Sequence, residues 1–227
     1  MNLQEKLELV RNRIKAASLR SGRDPGEIKL VAVTKNITVE IIKEALTLGL
    51  TCLGENKVQE FLIKEPQLGP GIEWHFIGHL QTNKVKKIIG KVSLIHSLDR
   101  WPLAVALSRA ACEAGIVAGA LIQVNVAGEK TKYGLSPTEV EEFAREAGAL
   151  PGLELRGLMT IAPECEDPEE IRYVFRQTRE LSRALRENIR GLKMDILSMG
   201  MSGDYEVALE EGANVLRLGT ALFGRRY

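Results

Sequence analysis

Lys35 lies near the end of the stretch "IKLVAVTKN", residues 28–36, where an apolar run meets an ammonium group. A buried lysine is costly unless it is paired, neutral or bonded. The run therefore either stops at the surface, with Lys35 snorkelling into solvent, or exists to hold the amine. A neutral lysine amine attacks carbonyls, and burial beside cations lowers its pKa from about 10.4 toward that form. Two later stretches carry anion chemistry instead. "SMGMSGD" places Ser202 and Gly203 before a helical segment, and "RLGT" places Arg217, Gly219 and Thr220 near the C-terminus. Hydroxyls, permissive glycines and backbone N–H groups at a helix start favour an anion.

These groups act together only if the fold brings them together. Leu3, Leu7, Val10, Ile14 and Ala17 recur at spacings of three and four, which predicts an amphipathic helix over residues 2 to about 20. Eight strand candidates follow, at 28–35, 52–56, 73–79, 93–99, 119–127, 153–162, 195–201 and 214–224, separated by helical patterns. Thr38 is the expected N-cap of the first of these helices. Alternating strand–helix units imply a parallel sheet covered by helices. Eight of them predict an α/β fold, a (β/α)8 TIM-type barrel, which typically takes ~250 residues; a doubly wound open sheet is the alternative. The chain ends just after the eighth strand, and the N-terminal helix is expected to fill the place of the missing final helix. No low-complexity linker interrupts residues 1–227, so one domain is expected.

Barrel sites lie at the C-terminal ends of the strands. That puts Lys35, Asn56 in "GEN", His79, Asn125 and the end of "SMGMSGD" on one rim. Alternation gives Val31, Val33 and Lys35 one strand face, and Arg217 and Gly219 another. Phosphate sites in such barrels are often built after strands seven and eight, where Ser202, Gly203, Gly219 and Thr220 fall. A ligand with both an aldehyde and a phosphate would satisfy amine and cup at once. Pyridoxal 5′-phosphate fits this description; a phosphosugar held by a Schiff-base lysine, as in an aldolase, also fits.

The composition narrows the classes. Hydrophobic residues are 44%, charged residues 27% and the net charge +1, a soluble globular balance with no global field for nucleic acid or anionic membrane. Cys52, Cys112 and Cys165 are isolated, which suits a reducing, cytoplasmic compartment and reads as three buried small hydrophobes. No apolar stretch nears the roughly 18 residues of a membrane span. His75 and His79 share a strand face without an evident carboxylate or cysteine partner, so no metal site is expected. Lys84, Lys86, Lys87, Lys130 and Lys132 form local basic spots without interleaved aromatics, which disfavours a nucleic-acid reading. Met199 and Met201 read as core filler.

"VAVTK", "GENKVQE", "WHFIGHLQTNK", "VNVAGEKTKYG", "GLMTIAP" and "LSMGMSGDYEVALEEGANVLRLGTALFG", running in order from about residue 29 to 224, resemble the pyridoxal phosphate homeostasis proteins and the barrel domain of alanine racemases. The resemblance implies that Lys35 holds pyridoxal phosphate as an internal aldimine. It implies that Ser202, Gly203, Gly219 and Thr220 line the phosphate, that Arg217 meets the pyridine nitrogen and that Asn56 lies near the cofactor. Lys132 falls in the family's "ExxKxG" pattern, which suggests a secondary cofactor or transfer role.

An arginine has donors and no acceptor, so Arg217 at the ring nitrogen weakens the electron sink that transaminases and decarboxylases use. Racemisation would need a second acid or base opposite Lys35. Alanine racemases take it from a tyrosine on a second domain and a dimer partner. None of Tyr133, Tyr173, Tyr205 and Tyr227 lies in such a motif. The resemblance therefore implies a carrier in vitamin B6 homeostasis with little or no turnover and no catalytic residues. Amino acids and apo-enzymes that use the cofactor are its expected contacts, and a monomer is its expected state. A racemase of the alanine racemase type is the alternative, and the aldolase lacks a placeable acid/base pair.

Overall fold

Strand β1, Lys29–Val33, opens a parallel barrel that continues through β2 (Cys52–Glu55), β3 (Glu73–Phe76), β4 (Leu94–Leu98), β5 (Ala118–Val124), β6 (Leu153–Thr160), β7 (Ile196–Ser198) and β8 (Val215–Leu218) in a computed structural model that describes residues 1–129 and 131–224. Neighbours in sequence are neighbours in space, and β8 closes on β1 with Val31 opposite Arg217. The helices are α1 (Leu3–Arg20), α2 (Val39–Thr47), α3 (Val58–Leu68), α4 (Val85–Ile88), α5 (Trp101–Glu113), α6 (Val140–Ala147), α7 (Arg172–Asn188), α8 (Tyr205–Glu210) and α9 (Thr220–Phe223).

Strand alternation sorts the core into two parts. Leu30, Ala32, Leu216 and Leu218 pack outward with the helices. Val31 and Val215 point inward, where they meet Cys52 and Ile196. A second inner cluster joins Leu94, Leu121 and Met159. Between these apolar layers the barrel interior is polar, with His75, His96, Ser198 and Arg217 all buried.

The expected N-terminal helix forms, capped by a reciprocal Asn2–Glu5 box, and takes the place of an eighth outer helix. It packs against α8 and α9. On one side Arg20 bonds Glu210 at 2.9 Å and Glu206 at 3.3 Å. On the other Arg11 donates to the Leu48 carbonyl beyond α2 at 3.2 Å.

Several local expectations need correction. The last strand stops at Leu218, and "TALF" turns into α9, because a short, mostly apolar run after a glycine does not distinguish strand from helix by period. Thr38 does stand at the N-cap of α2 as expected, although its side chain makes no capping bond. Cys52 is buried, whereas Cys112 is exposed and Cys165 intermediate. Met199 is core, while Met201 is 36% exposed. No helix among the described residues is long and apolar enough to cross a membrane.

Candidate active site

Lys35 follows β1 in the turn toward α2, half-buried, and no hydrogen bond or ion pair holds its ammonium among the described residues. Its backbone is clamped on both sides. Lys64 Nζ donates to the Thr34 carbonyl at 2.7 Å, and the Asn36 N–H donates to Glu60 Oε2 at 2.8 Å. Asn36 itself has φ of 58°, a left-handed turn that asparagine tolerates better than most residues. Glu55, fully buried, accepts from Lys64 at 2.7 Å and from the Thr34 hydroxyl at 2.6 Å. Burial would raise the Glu60 carboxyl, but the Asn36 N–H and Lys64 hold it below the usual carboxylate range. Two residues of the turn are fixed so that the one between them can present its amine.

Asn56 follows β2 on the same rim, and its Oδ1 is buried without a hydrogen-bond partner. The chain passes so close that a Cβ on Gly78 would lie 2.1 Å from the Asn56 carbonyl oxygen. At the far side of β1, the loops after β7 and β8 are tied together where the Ala221 N–H donates to Ser202 Oγ at 3.0 Å. Ser202 and Gly203 thus stand beside Gly219 and Thr220. Gly200 makes that loop passable: it sits at φ of 93°, and a Cβ there would lie 2.8 Å from Ala208 Cβ. Gly203 faces open space. Burial raises the nearby Asp204 carboxyl above its ordinary value.

Arg217 points into the barrel, only 4% exposed. Its Nη1 donates to Ser198 Oγ at 2.7 Å and its Nη2 to the Thr160 carbonyl at 2.8 Å. Burial pulls its pKa down to about 10. Behind Ser198 the contacts continue: His96 Nδ1 at 2.8 Å from Ser198 Oγ, His75 Nδ1 at 2.9 Å from His96 Nε2, and Glu73 Oε1 at 3.0 Å from His75 Nε2. Lys29 holds Glu73 with 2.6 and 2.8 Å contacts at the opposite end of the barrel. That end opens into a cavity of about 540 Å³ lined by Arg11, Lys29, Cys52 and Glu73 among others.

The rim therefore collects Lys35, Asn56, Ser202, Gly203, Gly219 and Thr220, with Arg217 reaching it from inside. His79 lies apart from His75, stacked on Tyr133 at a 4.0 Å centroid distance. The expectation that His75 lacks carboxylate and cysteine neighbours does not hold. Cys52, Glu73 and His75 bring potential ligand atoms within 4.8 Å of one another, although Lys29 already occupies Glu73. Lys132 donates to the Ala162 carbonyl at 3.1 Å and pairs with Glu129. Lys130 and Tyr227 lie outside the described residues. Sequence reasoning missed Glu55, Glu60 and Lys64, although "GENKVQE" contains the first two, and it missed His96 and Ser198. Inward parity on strands four and seven is the signal that could have found the last pair.

The barrel, its inward arginine and its rim lysine define a class. Residues 6–226 match the family model of the alanine racemase N-terminal domain. A pyridoxal phosphate homeostasis protein of Aquifex aeolicus is 48% identical over 227 residues, covering 100% of this chain and 99% of that one. Its counterpart in Escherichia coli K12 is 40% identical, covering 99% and 97%. Among solved structures, PipY of Synechococcus elongatus with PLP bound superposes with a TM-score of 0.85 at 36% identity, covering 98% of this chain and 100% of that one. The chain belongs to the family of pyridoxal phosphate homeostasis proteins.

Proposed function

We propose that this chain binds pyridoxal 5′-phosphate and serves vitamin B6 homeostasis by holding it, with little or no turnover. The observation that carries the reading is the rim itself. An unpartnered, backbone-clamped lysine stands one strand from two tied loops of hydroxyl and glycine residues, and a buried Asn56 oxygen faces no protein donor. Those groups fit the aldehyde, phosphate and ring substituents of one molecule. In this reading Lys35 holds the cofactor covalently through Nζ, while Ser202, Gly203, Gly219 and Thr220 hold the phosphate. Asn56 orients the ring, and Arg217 donates to its nitrogen.

When bound, the cofactor supplies an electron-withdrawing ring to any amine attached to it. Arg217 limits that capacity because it can only donate, so it keeps the ring nitrogen unprotonated. Tight holding with weak activation is what a carrier needs. The relatives among the pyridoxal phosphate homeostasis proteins and the bound PLP in PipY support the same assignment.

Addition of pyridoxal phosphate to the cofactor-free protein is expected to produce a visible band of lysine-bound cofactor. Lys35→Ala is expected to abolish it. A covalent adduct at unchanged stoichiometry in that variant overturns the role of Lys35. Amino-acid α-proton exchange in D₂O at ordinary enzyme rates would replace the carrier by the racemase.

A further inference from the structure

The contacts from Arg217 to Glu73 run through the barrel's whole depth, and their ends dictate a direction. An arginine has N–H donors and no acceptor, so the Arg217–Ser198 contact has Ser198 Oγ accepting. At the other end Glu73 is a carboxylate. Burial works against its charge, but the bonds from Lys29 and His75 outweigh that and keep it ionised. The His75–Glu73 contact therefore has His75 Nε2–H donating.

Neutral imidazole carries one proton, which leaves His75 Nδ1 as an acceptor and obliges His96 Nε2–H to donate to it. His96 Nδ1 is then an acceptor in turn, and the Ser198 hydroxyl donates to it. Both rings are neutral for a physical reason. Burial depresses both, and His96 also lies beside His75 and the Arg217 charge. His75 is 2% exposed, and His96 and Ser198 are fully buried, so no water competes for these groups. One arrangement of protons satisfies every contact.

We propose that Glu73, His75, His96 and Ser198 form a one-way hydrogen-bond chain that positions Arg217 as a donor to the cofactor's ring nitrogen and couples that nitrogen to the far end of the barrel. This rests on the placement of Arg217 in the function proposed above. The coupling follows from polarity: a serine oxygen that gives its own proton to His96 is a stronger acceptor for Arg217. Ser198 and the Thr160 carbonyl then pin the guanidinium plane from behind and leave its other donors for the ligand. A Glu73 without charge removes the anchor that sets the direction. These four are positioning residues; none touches the cofactor in this reading.

Two measurements test the chain. In cofactor-free wild-type protein, long-range proton–nitrogen correlation spectra of the histidines are expected to show His75 and His96 as neutral Nε2–H tautomers. An Nδ1–H tautomer or an imidazolium at either ring overturns the direction. In protein loaded with pyridoxal phosphate labelled with ¹⁵N at the ring, Glu73→Gln and Ser198→Ala are expected to move the ring-nitrogen signal while the lysine-bound band persists. Ser198→Thr, which keeps the hydroxyl, is expected to restore it. An unmoved signal in both variants overturns the coupling. Failure of the wild-type protein to take up the cofactor overturns the function proposed above and the role of Arg217 with it, whereas the histidine tautomers are read without cofactor and judge the chain separately.

Discussion

Lys35 owes its usefulness to residues that never face the cofactor. Lys64 is 8% exposed at its side chain and Glu55 is fully buried, so their pair stands in a medium where losing one partner strands the other. Breaking such a buried pair costs about 3–5 kcal/mol. Lys64→Met is expected to destabilise the protein by about that amount, read as a lowered urea midpoint. It also releases the Thr34 carbonyl next to Lys35, so the visible band is expected to return more slowly after the cofactor is stripped and re-added. Wild-type kinetics in a destabilised Lys64→Met protein would show that the pair serves stability alone. Lys35 was legible in the sequence because an apolar run ending on an amine is unusual. Glu60 and Lys64 were not: at a spacing of four on a helix they resemble any solvated ion pair, and only the packing of α3 against the end of β1 turns them inward.

At the scale of elements, the loop between β7 and α8 depends on Gly200. Its φ of 93° and the 2.8 Å approach to Ala208 Cβ leave no room for a side chain. Left-handed strain in a non-glycine residue costs about 1–3 kcal/mol, and the clash adds to it. Gly200→Ala is expected to lower thermal stability by at least that strain and to shift Ser202 away from Ala221. The cofactor's Kd, measured by titration of the visible band, should rise while the band position at saturation stays unchanged. A Kd equal to wild type would mean that Ser202 does not depend on this turn. The sequence pattern disclosed the loop, since "SMGMSGD" carries its hydroxyl and glycines openly. It did not disclose where β8 ends, because apolar residues continue past Gly219 in "LRLGTALF" and period alone does not separate a strand from a strand followed by one helical turn. The inner hydrogen-bond chain was hidden for another reason. Its members come one or two per strand from β3, β4, β7 and β8, and only the closed register brings them together.

At the scale of the whole molecule, the barrel's outer ring closes through charge as well as apolar packing. Arg172 on α7 bonds Glu210 at 2.7 Å, and Glu210 in turn holds Arg20 of α1 at 2.9 Å, so one network crosses the seam that an eighth outer helix would cover. Its most buried member is Glu211, 5% exposed at its side chain, with Arg172, Arg176 and Arg179 all within 3.2 Å. Burial alone would raise this carboxyl, but the arginines outweigh it and hold it below the ordinary value. A depressed native pKa means that the unfolded chain binds the proton more readily, so the pair's stabilisation is fully present above the unfolded value of about 4.3 and fades as pH falls through the native one. Glu60, Asp195 and Glu210 are depressed in the same sense, so acid weakens the wild-type protein at several places. The variant Glu211→Gln isolates one of them. Urea midpoints measured from pH 7 down to pH 3 are expected to show the variant less stable at neutral pH and converging on wild type as acid is added. Parallel curves would mean that the three arginines are satisfied elsewhere and that Glu211 does not fasten α7 to α8.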